Sequence, residues 1–91
     1  MIKHMKYKIE FSKKAIRSLV KLPQRIKASI LEKLDDLSID PYAKNNNVKK
    51  LQGMEDSYRL RVGDYRVVYR ILDEKVVIEV VTIGHRQEVY K

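Results

Sequence analysis

Hydrophobic and polar residues alternate along several stretches of this chain and recur at helical spacing along two others. In residues 6–11, Tyr7, Ile9 and Phe11 alternate with Lys6, Lys8 and Glu10, the period of a half-buried strand. Residues 1–5 precede it as a frayed leader. Ser12 is a good helix N-cap. After it, Ala15, Ile16, Leu19 and Val20 form an apolar stripe, with Lys13, Lys14, Arg17 and Lys21 outside. Pro23 fits the first turn of a second helix, whose buried face is Ile26, Ile30, Leu31, Leu34 and Leu37. Asp40-Pro41 ends it, because a residue before proline avoids helical geometry. Asn45-Asn46-Asn47 reads as loop, residues 48–51 as a short strand and residues 53–57 as a turn. Strands follow over residues 58–62, 65–72 and 75–83, the last two joined at Asp73-Glu74. Gly84 ends the sheet, leaving a short tail over residues 85–91. The order β-α-α-β-β-β predicts one α+β domain over residues 1–91. It has an N-terminal strand, a helical hairpin and an antiparallel sheet of three to four strands, with the helices on one face.

Residues 58–71 read YRLRVGDYRVVYRI and bear most directly on function. Gly63-Asp64 is a two-residue loop of the kind that closes a tight hairpin. Pairing then follows by arithmetic: Val62 faces Tyr65, Arg61 faces Arg66, Leu60 faces Val67 and Arg59 faces Val68. One face carries Tyr58, Leu60, Val62, Tyr65, Val67, Tyr69 and Ile71; the other carries Arg59, Arg61, Arg66 and Arg70. Like charges directly opposite one another destabilise a sheet. The cluster therefore reads as a prepared anion site, and guanidinium groups suit phosphate. The helices must cover the apolar face, which leaves the arginine face open.

Composition narrows the chemistry. The 91 residues contain no cysteine, so a disulfide framework and a thiolate site are excluded. His4 and His85 are far apart, with no metal-ligand spacing, and neither a metal nor a cofactor is expected. No apolar run reaches membrane-span length and no secretory leader is read, so the expectation is a soluble cytoplasmic protein. The formal net charge of +8 points to a polyanionic partner. Residues 1–50 hold 13 Lys/Arg against 5 Asp/Glu, and residues 51–91 hold 7 of each. Charge alone would favour the helical half. The arginines of the second half share one surface while its acids fall mostly in turns, and face assignment therefore points at the sheet.

The run KKLQGMEDSYRLRVGDYRVVYRILDEKVVIEVVTIGHRQEVYK resembles the C-terminal half of RelE-type toxins of the RelE/ParE superfamily. Leu51-x-Gly53, Tyr58-Arg59-Leu60-Arg61, Tyr65-Arg66-Val67-Val68-Tyr69 and the ending Gly84-x-Arg86…Val89-Tyr90 carry the likeness. The N-terminal strand and helical hairpin match in order and length. The resemblance implies a toxin that enters the ribosomal A site and cuts mRNA as a metal-independent endoribonuclease. A co-expressed RelB-like antitoxin would hold it inactive. Arg59 and Arg61 match two basic positions that are lysines in the best-known members. Arg66 and Arg86 match catalytic arginines, and Tyr90 matches the tyrosine that orients the substrate. The stretch between Arg86 and Tyr90 is shorter than in those members.

RNA cleavage through the 2′-OH needs in-line geometry, charge stabilisation on the phosphorane and a proton for the leaving 5′-oxygen. The arginines supply the second, with Arg61 and Arg66 first and Arg86 next, while Arg59 and Arg70 would hold RNA phosphate. Arginine keeps its proton, so Arg59 and Arg61 cannot act as general bases. His85 and Tyr90 remain for proton transfer, although His85 reads equally as an ordinary strand-end residue. Glu79, paired by register with Val68, is a weaker option and a neutralising partner for Arg66 or Arg70. Two other functions stay open: a ParE-like protein that inhibits DNA gyrase without catalysis, and a plain nucleic-acid-binding module. A helical half this basic also suits an acidic amphipathic segment that folds on binding.

Overall fold

The computed structural model describes residues 6–85. Strand β1 (Lys8–Phe11) leads into helix α1 (Lys13–Val20) and helix α2 (Gln24–Ile39). Strands β2 (Val48–Lys50), β3 (Ser57–Val62), β4 (Tyr65–Leu72) and β5 (Val77–His85) follow. They form one five-stranded sheet in the order β1-β5-β4-β3-β2. The expected sheet of three to four antiparallel strands is thus larger and mixed, because β1 joins it as a parallel edge beside β5. A parallel pair requires a long crossover, and here nearly the whole intervening chain provides it.

Ser12 shows why α1 starts where it does. Its Oγ accepts from the Ala15 backbone N–H at 3.0 Å and donates to the Val81 carbonyl at 2.7 Å. That second bond fixes the helix to a bulge. Tyr69 pairs with Val80 and Val68 with Thr82, which leaves Val81 as an additional residue on β5. Pro23 serves as the N-cap of α2 rather than lying in its first turn. Its missing N–H costs nothing there.

The core lies between the helices and the predicted apolar face of the hairpin. Ala15, Ile30, Leu34 and Leu37 meet Leu60, Val62, Val67, Tyr69, Ile71, Ile78, Val80 and Ile83. Three members of the predicted helical stripes fall outside it. Ile16, Val20 and Leu31 are 47%, 62% and 41% exposed. Successive helical positions turn by about 100°, so the faces set by Ala15 and Leu19, and by Ile30 and Leu34, leave these neighbours pointing past the sheet.

Tyr69 is fully buried and stacks on Tyr58 at 5.7 Å between ring centroids. Among the described residues its hydroxyl has no hydrogen-bond partner, and burial pushes its pKa up. Tyr69→Phe removes an unsatisfied polar group while keeping the ring. We expect it to raise stability by about 1 kcal/mol, measurable as a higher Tm in thermal unfolding. At the other end of the sheet, Asp73 accepts hydrogen bonds from Tyr7 at 2.8 Å and Tyr42 at 2.7 Å. The two phenols, Tyr42 foremost, hold its carboxyl below the usual range. This clamp ties the chain before β1 and the loop after α2 to the β4–β5 turn.

Candidate active site

The β3–β4 hairpin closes as the sequence predicts. Val62 pairs with Tyr65, Arg61 with Arg66, Leu60 with Val67 and Arg59 with Val68. Gly63 takes φ +58° as the first loop residue, the conformation that a type II′ turn requires there. Register therefore sets Arg61 and Arg66 side by side on the face away from the helices.

Strand β2 completes the site. Lys49 pairs with Arg59, which puts its side chain on the same face. Directly opposed side chains have Cβ atoms about 4.5–5.5 Å apart. Just before β2, the Asn47 carbonyl accepts the Arg61 N–H at 2.8 Å, and its side-chain oxygen accepts from Arg61 Nη2 at 3.0 Å. Lys49, Arg59, Arg61, Arg66, Asn46 and Asn47 line a pocket of about 150 Å³. Its described lining contains no carboxylate. Arg66 is only 8% exposed, and its Nη1 donates to the Gly63 and Tyr65 carbonyls at 3.1 and 3.0 Å. The turn thus holds one edge of that guanidinium in place. Fixed cationic donors around a small concavity are suited to a tetrahedral oxyanion.

Three of the four hairpin arginines come together here. Arg70 does not, although it shares the face. It lies four residues from Arg66, a distance of about 13 Å along a strand, and its Nη1 is 3.5 Å from Glu79. It lines a different, acid-rich pocket with Asp56, Asp73, Glu74 and Glu79. The expected pairing of Glu79 with Val68 is corrected to Glu79 with Arg70. The cause is the β4–β5 turn, which spans four residues rather than two and carries Val76 at φ +54°. The same two-residue slide moves β5 from the predicted 75–83 to Val77–His85, so the strand continues past Gly84.

His85 is also placed elsewhere. It pairs with Tyr65, and its ring meets that tyrosine edge-on at 5.7 Å. Arg66 pairs with Gly84 on the opposite face. His85 therefore lines a groove beside α1 with Lys14, Arg17, Lys21 and Tyr65, across the sheet from the arginine pocket. The predicted proton-transfer role for His85 does not fit this position. Arg86 and Tyr90, like residues 1–5, lie outside the described residues. Lys49, Asn46 and Asn47 were not among the residues the sequence singled out. Residues 48–51 read as a short strand, but the irregular loop before β3 left its register open.

The family model for the ParE toxin of the type II toxin-antitoxin system parDE matches residues 9–90. The chain belongs to the RelE/ParE toxin superfamily. Within that superfamily its similarity runs to RelE. The mRNA interferase toxin RelE of Escherichia coli is 37% identical over 90 residues, covering 94% of this chain and 92% of that protein. In the crystal structure of the intact E. coli RelBE toxin–antitoxin complex, a chain 32% identical superposes with a TM-score of 0.77. That match covers 87% of this chain and 95% of the other. A chain of the archaeal RelE–RelB complex from Pyrococcus horikoshii is 33% identical, with a TM-score of 0.78 over 90% and 97% of the two chains. The family model is described by ParE while these relatives are RelE proteins. Identity over nearly the full length is the finer discriminator, and it favours RelE. Among the described residues of this RelE-type toxin, no helix is long and apolar enough to cross a membrane.

Proposed function

We propose that this chain is the toxin of a type II toxin–antitoxin system and cleaves mRNA in the ribosomal A site. The observation that carries the reading is the pocket where Lys49, Arg59, Arg61 and Arg66 converge, with no carboxylate among its described lining residues. A scissile phosphodiester seated there meets donors from three adjacent strands. As the 2′-oxygen attacks, negative charge grows on the phosphorane oxygens, and Arg61 and Arg66 stabilise it by electrostatic preorganisation. Arg59 holds the phosphate. Arg86 and Tyr90 are proposed as further contributors on the family's pattern, Arg86 adding charge and Tyr90 orienting the substrate. Arg70, paired with Glu79, is given no part in catalysis.

The described part of the pocket holds neither histidine nor carboxylate to take the 2′-OH proton. Such a site has charge but depends on its substrate arriving in line, and positioning alone is worth about 7–11 kcal/mol in well-oriented reactions. The ribosome supplies that geometry. Purified toxin should cut an mRNA at the A-site codon of programmed ribosomes and leave the same naked mRNA intact at equal protein concentration. Primer extension reads both. Efficient cutting of naked mRNA would overturn the dependence on the ribosome, and loss of gyrase supercoiling without A-site cuts would move the protein to the ParE type.

The proposed partner is a RelB-like antitoxin, as the complexes of the similar RelE chains suggest. The outer face of α1 supports it, since exposed Ile16 and Val20 lie among Lys13, Lys14, Arg17 and Lys21. An apolar strip with a basic rim fits an acidic amphipathic segment. The proposed place of action is the cytoplasm, where the ribosomes are.

A further inference from the structure

We propose that Lys49 is the general acid of the reaction, delivering a proton to the leaving 5′-oxygen. This rests on the ribonuclease reading above and assigns a residue to the step that the arginines cannot perform. Among the described residues that line the pocket, three are arginines, two are asparagines and one is a lysine. Guanidinium keeps its proton and a side-chain amide has none to give, whereas an ammonium can release one. His85 lies across the sheet, and Glu79 faces Arg70 at the far end. Register pairs Lys49 with Arg59, and the next row across the sheet pairs Arg61 with Arg66. Its position on an edge strand matters too. Lys49 is exposed and can reach over the pocket mouth, while Arg66 is buried at the sheet. In the proposed arrangement, a phosphate held by the arginines has its leaving 5′-oxygen on the Lys49 side of the pocket.

The step balances without a cofactor. The 2′-oxygen bonds to phosphorus as its proton passes to solvent water. The bond from phosphorus to the 5′-oxygen breaks, and its electron pair takes a proton from the Lys49 ammonium. The products are a 2′,3′-cyclic phosphate, a 5′-hydroxyl and a neutral amine, which regains its proton from solvent.

The test uses programmed ribosomes carrying mRNA with either the natural 5′-oxygen or a bridging 5′-sulfur at the linkage that wild-type protein cuts. A thiolate leaves without protonation, so sulfur removes the need for an acid. Lys49→Ala and Lys49→Arg should each slow cleavage of the oxygen linkage by roughly 10²-fold or more. Both should return close to the wild-type rate on the sulfur linkage. Arginine keeps the charge but not the transferable proton, so a Lys49→Arg variant as fast as wild type on oxygen overturns the proposal. A deficit that persists on sulfur overturns it as well, by showing a role in binding or structure. If wild-type protein makes no A-site cut on programmed ribosomes at all, the ribonuclease reading itself fails and takes this inference with it.

Discussion

Arg66→Ala is expected to lower A-site cleavage by roughly 10²–10³-fold, the usual cost of losing one preorganised donor to a transition-state oxyanion. Arg66 is the most buried cation of the pocket, and Gly63 and Tyr65 fix one of its terminal nitrogens. Such a group cannot follow the substrate and therefore acts where charge develops rather than wherever the RNA settles. Single-turnover cleavage on programmed ribosomes separates this from weaker binding, because a transition-state donor lowers the rate even at saturating toxin. Arg70→Ala is the matched comparison. It removes an arginine from the same face of the same strand, yet one paired with Glu79 in an acidic setting. Its rate should stay within a few-fold of wild type. Equal losses from the two variants would mean that net positive charge, not the pocket, drives cleavage.

Alternation around Gly63-Asp64 gave the β3–β4 pairing residue by residue, since a two-residue loop leaves no freedom of register. That was enough to bring Arg59, Arg61 and Arg66 to one face. Register across the longer connections was not legible. The four-residue β4–β5 turn moved Glu79 onto Arg70, and the bulge at Val81 changed the pairing again before Gly84 and His85. Lys49 escaped notice because the loop between β2 and β3 does not set their register. Its pairing with Arg59 depends on β2 adding to an already formed hairpin. The parallel placement of β1 beside β5 was hidden for a similar reason, being a contact between distant parts of the chain that no local pattern encodes.

On the other side of the sheet, Leu34→Ala is expected to destabilise the fold by about 2–5 kcal/mol, the range for emptying a buried leucine site. Leu34 is fully buried between α2 and the sheet, and a domain of this size has only about 5–15 kcal/mol in total. At about 4–8 °C per kcal/mol, Tm should fall by at least roughly 8 °C. Leu31 belongs to the same predicted apolar stripe but is 41% exposed. Leu31→Ala should therefore cost less than about 1 kcal/mol, since it leaves no closed cavity. Thermal unfolding of the two variants checks whether α2 seats the face that the structure gives it. The pocket residues stand on the opposite side of β3 and β4. Leu34→Ala protein that is still folded at low temperature should therefore keep the cleavage that Arg66→Ala loses. If Leu34→Ala instead abolished cleavage while circular dichroism remained native, the two faces of the sheet would be coupled, and the arginine pocket would owe its shape to the packing of α2.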